Sequence, residues 1–212
     1  MSIKTFLLML AVAAATPQMV SARVTAADAF TSAPRKVMPM LDENTRLDMV
    51  DYFNSGMSTT SANNLNGRSR ITALSPDQLT VSLTDASTCN VIVLPGEQNP
   101  MLALITTVAT PAPDSRMSVF TADWKRDVTP SVFTKPTLAD WLTPAGKKNM
   151  AEVEATVPFL LISYVYDPAT ATLTLTNNAK GFLGEDVYET VAEYIQPQLV
   201  YKFNGKRFNL VK

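Results

Sequence analysis

The sequence predicts an α+β fold: antiparallel β-meanders packed by helices, with the helix-plus-sheet unit appearing twice. Three observations carry this expectation. Residues 33–57 combine a helix start, a two-faced helical body and a glycine stop. Gln78–Thr84 alternates apolar and polar residues without a break, and the runs around it are joined by turns too short for a parallel return. A second helical pattern near residue 190 is followed by two short runs flanking Asn204-Gly205, a strong hairpin signal.

Taken in order, the chain opens with Lys4, an apolar run from Phe6 to Ala15, and the small-residue pattern Val20-Ser21-Ala22. That order predicts a signal peptide over residues 1–22, too short in its apolar core to span a bilayer comfortably. Its removal takes away one charge, Lys4, and moves the formal net charge from −1 one unit further negative. So even a balance gives no electrostatic case for nucleic acid or an anionic membrane surface. No later apolar run is long enough to cross a membrane.

Residues Arg23–Ser32 are small and polar and read as a loose lead-in. The organising helix follows. Pro39 precedes it, Asp42 or Asn44 supplies the cap, and Gly56 ends it. Leu47, Val50 and Phe53 recur at helical spacing as a buried stripe, with Met49 on its flank. Asn44, Asp48, Asp51 and Ser55 then line the opposite face. Asn44, Asp48, Asp51 and Tyr52 form the candidate ligand or partner surface. Set against this is a solvated helix face, the stronger reading because charged helical side chains mostly face water.

Ser58–Arg68 reads as a loop, with a turn at Asn66-Gly67. Five strands follow: Arg70–Leu74, Gln78–Thr84, Cys89–Leu94, Met101–Thr110 and Arg116–Ala122. They form a meander covered on one face by the organising helix. Residues 23–122 thus make the first unit and residues 123–212 the second, packed together as one body. In the second, Thr137 caps a short helix carrying Leu138, Trp141 and Leu142. Lys147–Thr156 is a further helix with Met150, Val153 and Val157 on one side. Phe159–Tyr166, the most apolar run after the leader, reads as a central strand. Thr170–Thr176 alternates with Leu173 and Leu175 inward. Asn177–Gly184 is a loop, Glu185–Ile195 a helix, and Leu199–Phe203 with Lys206–Leu210 the closing hairpin.

The counts exclude much chemistry. The chain has no histidine, which removes Ser-His-Asp and Cys-His machinery and every histidine-containing metal site. The one cysteine, Cys89, can form no internal disulfide and sits in an apolar strand, where a structural thiol is the expected role. Gly146-Lys147-Lys148 lacks the upstream glycine of a phosphate loop. There is no Gly-x-Ser-x-Gly elbow and no calcium loop. Asp123 beside Trp124 is a weak sugar-site motif; the competing reading makes Trp124 and Trp141 core anchors. No catalytic, cofactor-binding or metal-binding residue is assigned, and no cofactor is expected.

Leu41-Asp42-Glu43-Asn44-Thr45-Arg46-Leu47-Asp48-Met49-Val50-Asp51-Tyr52, followed by Gly56-Met57, resembles a family of small secreted proteins of Bacteroides and relatives, a domain family of unknown function. The resemblance continues through Pro113-Asp114-Ser115, Asp123-Trp124 and Tyr201–Phe208, and so covers essentially the whole chain after the leader. It implies a cell-envelope location in a Gram-negative bacterium and carries no activity or cofactor. The doubled layout is also similar to periplasmic inhibitor-like and binding-type folds, a likeness of fold only. The expected function is that of an exported, periplasmic or secreted, non-catalytic module binding a protein, peptide or glycan of the envelope. The alternatives are a carboxylate-dependent glycan hydrolase and a structural subunit of an envelope assembly.

Overall fold

The computed structural model describes residues 23–211. The expected signal peptide lies outside the described residues. Two antiparallel sheets share one body. The first has six strands in sequential order: β1 (Ser61–Ala62), β2 (Arg68–Leu74), β3 (Gln78–Thr84), β4 (Ser87–Leu94), β5 (Met101–Val108) and β6 (Asp114–Thr121). The second has four: β7 (Ile162–Asp167), β8 (Thr172–Asn177), β9 (Gln198–Phe203) and β10 (Phe208–Leu210), in the order β10-β9-β8-β7. The five expected strands are all present. The sixth, β1, is a two-residue strand pairing Ser61 with Ser69 and Ala62 with Arg68, too short to leave a period in the sequence. Asn63 fixes that return: its Nδ2 donates to Ser69 Oγ and the Leu83 carbonyl, while its Oδ1 accepts from the N–H groups of Leu65 and Gly67.

The first sheet is covered on both faces. Leu79, Val81, Cys89, Val91, Val93 and Leu102 pack under the N-terminal helices. Ile92, Leu94, Ala103, Ile105, Met117 and Val119 point the other way, into a core shared with Ile162, Tyr164, Leu173, Leu175, Leu199 and Tyr201 of the second sheet. This is why the end of β4, Val91–Leu94, is apolar on both faces while β3, half-buried on its second face, alternates.

Residues 23–32 are not a loose lead-in. They contain helix α1 (Ala26–Ser32), started by a capping box in which Thr25 and Asp28 bond each other's backbone N–H. Ala26, Ala29 and Phe30 are fully buried against β3 and β4, so α1 occupies the sheet face expected for the organising helix. The organising helix is α2 (Glu43–Asn54), capped by Asp42, which accepts from Thr45 N–H at 2.8 Å. It packs on α1, β1 and β2. Its buried phase is rotated from the expected stripe. Arg46 and Met49 are buried, Val50 and Phe53 half-buried, and Leu47 is 46% exposed. The reason is Arg46, whose guanidinium donates to the carbonyls of Leu41, Ala33 and Thr31 at 2.7, 2.5 and 3.0 Å. An apolar stripe could not satisfy those three acceptors.

Between β6 and β7 the chain forms α3 (Thr129–Val132), α4 (Leu138–Trp141), α5 (Pro144–Lys148) and α6 (Met150–Thr156). Thr137 and Asp140 make a capping box for α4, as the sequence implied for Thr137. The helix expected over Lys147–Thr156 is broken at Asn149 into α5 and α6. A Cβ on Gly146 would lie 2.1 Å from the Tyr194 carbonyl oxygen, so α5 can seat here only with glycine. Val153 and Val157 are buried, while Met150 is exposed.

Phe159–Tyr166 does not make a central strand. Only Ile162–Tyr166 of it joins a strand, β7, which is an edge of the second sheet, and Phe159 is 49% exposed. The edge is finished by side chains from the start of β6: Ile162 N–H donates to Asp114 Oδ1 and Tyr164 N–H to Ser115 Oγ, both at 3.0 Å. The expected loop at 177–184 holds α7 (Ala179–Leu183). The expected helix over 185–195 is α8 (Glu185–Glu189) plus a 3-10 turn (Ala192–Tyr194); its inward residues are Val191 and Ile195, and α8 itself buries none. The closing hairpin is as expected, with Leu199, Tyr201 and Phe203 on one buried face.

Candidate functional site

Helix α2 turns Asn44, Asp48 and Asp51 to solvent. Tyr52 alone of the four candidates lines a concavity, a hollow of about 430 Å3 between the end of α2 and β2, walled by Phe53, Met57 and Arg70. The structure therefore does not gather the four into one site. Asp42, which caps the same helix, is structural, and the Thr45 N–H holds its carboxyl below the usual carboxylate range.

A larger concavity lies elsewhere, a groove of about 950 Å3 at one end of the sheets. Its walls are the β4–β5 turn (residues 96–101), the segment leaving β6 (Thr121–Val128), Ser131 and Val132 of α3, and the tip of the closing hairpin, Gly205 and Lys206. Its floor is apolar: Met101 and Val128 are half-buried and Val132 is buried. Its rim is polar, with Glu97, Gln98, Asn99, Asp123, Lys125, Arg126 and Lys206 exposed.

Each wall is fixed by its own chemistry. Gly205 adopts φ 91°, a conformation open to glycine, and Asn204 Oδ1 accepts from Lys206 and Arg207 N–H to close the turn. Lys206 Nζ then reaches Glu97 Oε2 at 2.9 Å, tying the hairpin tip to the β4–β5 turn. The segment after β6 folds back along that strand, with Thr121 N–H donating to the Arg126 carbonyl and Val128 N–H to the Val119 carbonyl. Trp124 takes φ 60°, unusual for a non-glycine residue. It is held there because its indole N–H donates to the Ala29 carbonyl at 3.1 Å and its ring packs on Phe120, 5.3 Å between centroids. This turn sends Trp124 into the core and Asp123 onto the rim.

The charges on the rim are largely internal pairs. Asp123 accepts from Thr121 Oγ1 and Lys125 N–H and faces Lys125 Nζ at 3.2 Å; the Thr121 hydroxyl, then Lys125, hold its pKa down at about 2. Asp123 thus stays ionised at any ordinary pH, the wrong state for a general acid. The sugar-stacking idea finds no ring here: Trp124 and Trp141 are 3% and 0% exposed, both core residues. Asp48 and Asp51 do not line the groove that Asp123 borders. Cys89 is buried in β4, and burial pushes its thiol up to about 12, an inert side chain.

The groove was not legible in the sequence. Its walls come from four segments with no shared motif, and only their strand order brings them to one end. Among the described residues, no helix is long and apolar enough to cross a membrane.

Two antiparallel sheets, helices on their outer and shared faces, and an open groove built by the loops at one end define the class: an α+β protein with a surface cleft. The chain belongs to the family described as "Protein of unknown function (DUF3256)", whose model matches residues 18–208. It is similar to a domain of an uncharacterized protein from Porphyromonas gingivalis W83, with a TM-score of 0.76 at 19% identity over 87% of this chain and 96% of that one. At that identity the likeness speaks for the fold alone. No curated protein matches the chain.

Proposed function

We propose that the protein is an exported, non-catalytic binding module of the cell envelope, and that its ligand is a polypeptide segment lying in the groove. The observation that carries this reading is the groove's make-up: an apolar floor of Met101, Val128 and Val132 under a polar rim, with no aromatic ring in its lining. Peptide sites combine apolar floors with polar rims, and methionine adapts to varied side chains. A glycan site would call for exposed rings to stack on sugars. The hydrolase alternative has less support, since Asp123 is held ionised and Glu97 is paired with Lys206.

The test is a selection of displayed random peptides against the purified protein, followed by affinity measurement on Ser131→Trp and Arg126→Glu variants. Ser131 is exposed on the groove wall, so tryptophan there fills the site without touching the core. Selected peptides are expected to lose at least tenfold in affinity for Ser131→Trp. Enrichment of nothing, binding indifferent to Ser131→Trp, or binding to glycans only would overturn the reading.

A second reading, a structural subunit of an envelope assembly, draws on one observation. Phe159 and Phe182 form a tilted pair on the surface with centroids 4.6 Å apart, 49% and 41% exposed. Sedimentation of the parent and of a Phe159→Ser/Phe182→Ser double variant tests it: a concentration-dependent oligomer abolished by the pair supports the subunit, and a monomer at high concentration counts against it.

A further inference from the structure

The groove is lined by three cations and two carboxylates, Lys125, Arg126 and Lys206 against Glu97 and Asp123, in a chain whose formal net charge is −1. Both carboxylates are already engaged. Glu97 holds Lys206 at 2.9 Å and Asp123 holds Lys125 at 3.2 Å. Arg126 is left over. It is exposed, no ion pair among the described residues includes it, and its guanidinium donates no hydrogen bond to them. The groove therefore offers one uncompensated positive charge, opposite in sign to the whole chain.

The backbone decides where that charge points. Thr121 N–H donates to the Arg126 carbonyl at 3.0 Å, Arg126 N–H donates to Thr121 Oγ1 at 3.2 Å, and Val128 N–H donates to the Val119 carbonyl at 2.8 Å. With Phe120 paired to Asp127, residues 126–128 run antiparallel along the end of β6. Successive side chains on such a segment face opposite ways. Asp127 turns to one side, where its carboxylate accepts from the Thr129 N–H and hydroxyl. Arg126 and Val128 share the other side, the side of the groove, about 7 Å apart along the chain. The same register sets Arg126 beside Thr121, and Thr121 beside Met101. Arg126 thus stands at the edge of the apolar floor made by Met101 and Val128.

We propose that Arg126 is the anchor for a carboxylate of the polypeptide that the groove takes, with the apolar residues next to that carboxylate lying on Met101 and Val128. The anions native to a polypeptide are carboxylates, and a guanidinium meets a carboxylate with two parallel N–H donors. Two sources supply this group, an acidic side chain and the C-terminus of the chain. The proposal rests on the groove being a peptide site, and the experiment separates the two.

The probes are four short peptides titrated into 15N-labelled parent, Arg126→Gln and Ser131→Trp proteins. N-acetyl-Ala-Val-Glu-Val-Ala amide is paired with its glutamine counterpart, and N-acetyl-Ala-Met-Val free acid with its amide. At least one carboxylate probe is expected to shift the Arg126 side-chain N–H and the Met101 and Val128 amides saturably. It should bind about fivefold tighter than its uncharged counterpart, the upper end for an exposed ion pair, and the preference should shrink as salt is raised. The pair that shows the preference identifies the source. Arg126→Gln should abolish the preference, leave the weaker uncharged binding, and keep the melting temperature, because the side chain it replaces has no partner to lose. Equal binding of charged and uncharged probes, or a preference that survives Arg126→Gln, overturns the anchor. If binding is equal and Ser131→Trp blocks it, the groove reading stands and only the anchor fails. If the carboxylate probes shift the Arg126 side chain with Met101, Val128 and Gly205 unmoved, both readings fail, since a bare surface cation attracts any acid. No saturable shift from any probe also overturns the anchor, and the displayed-peptide selection then judges the groove by itself.

Discussion

Replacing Arg46 with methionine removes a cation buried at the joint of α1 and α2. The guanidinium is 2% exposed and bonds three backbone carbonyls, those of Thr31 and Ala33 at the end of α1 and of Leu41 before α2. Hydrogen bonds from a charged donor contribute about 1.5–3 kcal/mol each, so three at the low end amount to between 4 and 5, roughly. Part of that returns because no carboxylate contacts this charge and its desolvation is no longer required; burial already pulls its pKa below the usual arginine value. The net loss for Arg46→Met is about 3 kcal/mol, a large share of the about 5–15 kcal/mol typical of a folded protein. Arg46→Lys, whose single ammonium reaches only some of the carbonyls, should lose about 1–2 kcal/mol. Urea unfolding followed by tryptophan fluorescence reads both, and Trp124 reports directly because its indole bonds Ala29 of α1. A methionine variant within about 0.5 kcal/mol of the parent, or a lysine variant less stable than methionine, would refute this account of the joint.

Other outcomes follow from the same geometry. Phe30→Ala empties a fully buried site under α1 and should cost about 3–5 kcal/mol by the same urea assay. Cys89, with its pKa pushed up to about 12 by burial, should resist a thiol-specific disulfide reagent at pH 8 in the native protein and label at the rate of unfolding. Asp123 has its pKa lowered from 3.8 to about 2 in the folded state, so the stability it contributes is complete above about pH 4 and is lost as pH falls towards 2. Asp123→Asn should flatten that part of the acid-unfolding profile, and carboxyl NMR titration of the parent should place the midpoint near the lower value.

The sequence-based expectations held where one face of an element is wet. Gln78–Thr84 became β3 with its alternation intact, and Asn204-Gly205 closed the hairpin it implied. They failed where tertiary contacts decide. The burial of Arg46 had no sequence signal, because its partners, carbonyls up to fifteen residues away, leave no trace in helical periodicity. Helix α1 was missed although Thr25 and Asp28 have capping-box spacing, because its inward side carries two alanines and one phenylalanine, a weak apolar signal. The apolar run around β7 looked central because a strand at the joint of two sheets buries one face and hands its edge N–H groups to Asp114 and Ser115. Of the candidate surface, Asn44, Asp48 and Asp51 face open solvent and Tyr52 borders a small hollow. The larger groove depends on loop convergence that no linear motif records.

Whether the loop-built groove is where this protein takes hold of a polypeptide is tested most directly by mapping a selected peptide onto the 15N-labelled protein. Amide signals from Gly96, Asn99, Met101, Thr121, Arg126, Val128 and Gly205 are expected to move together and saturate with one Kd. Perturbations confined to Asn44, Asp48 and Asp51 on α2, with the groove signals unmoved, would contradict it.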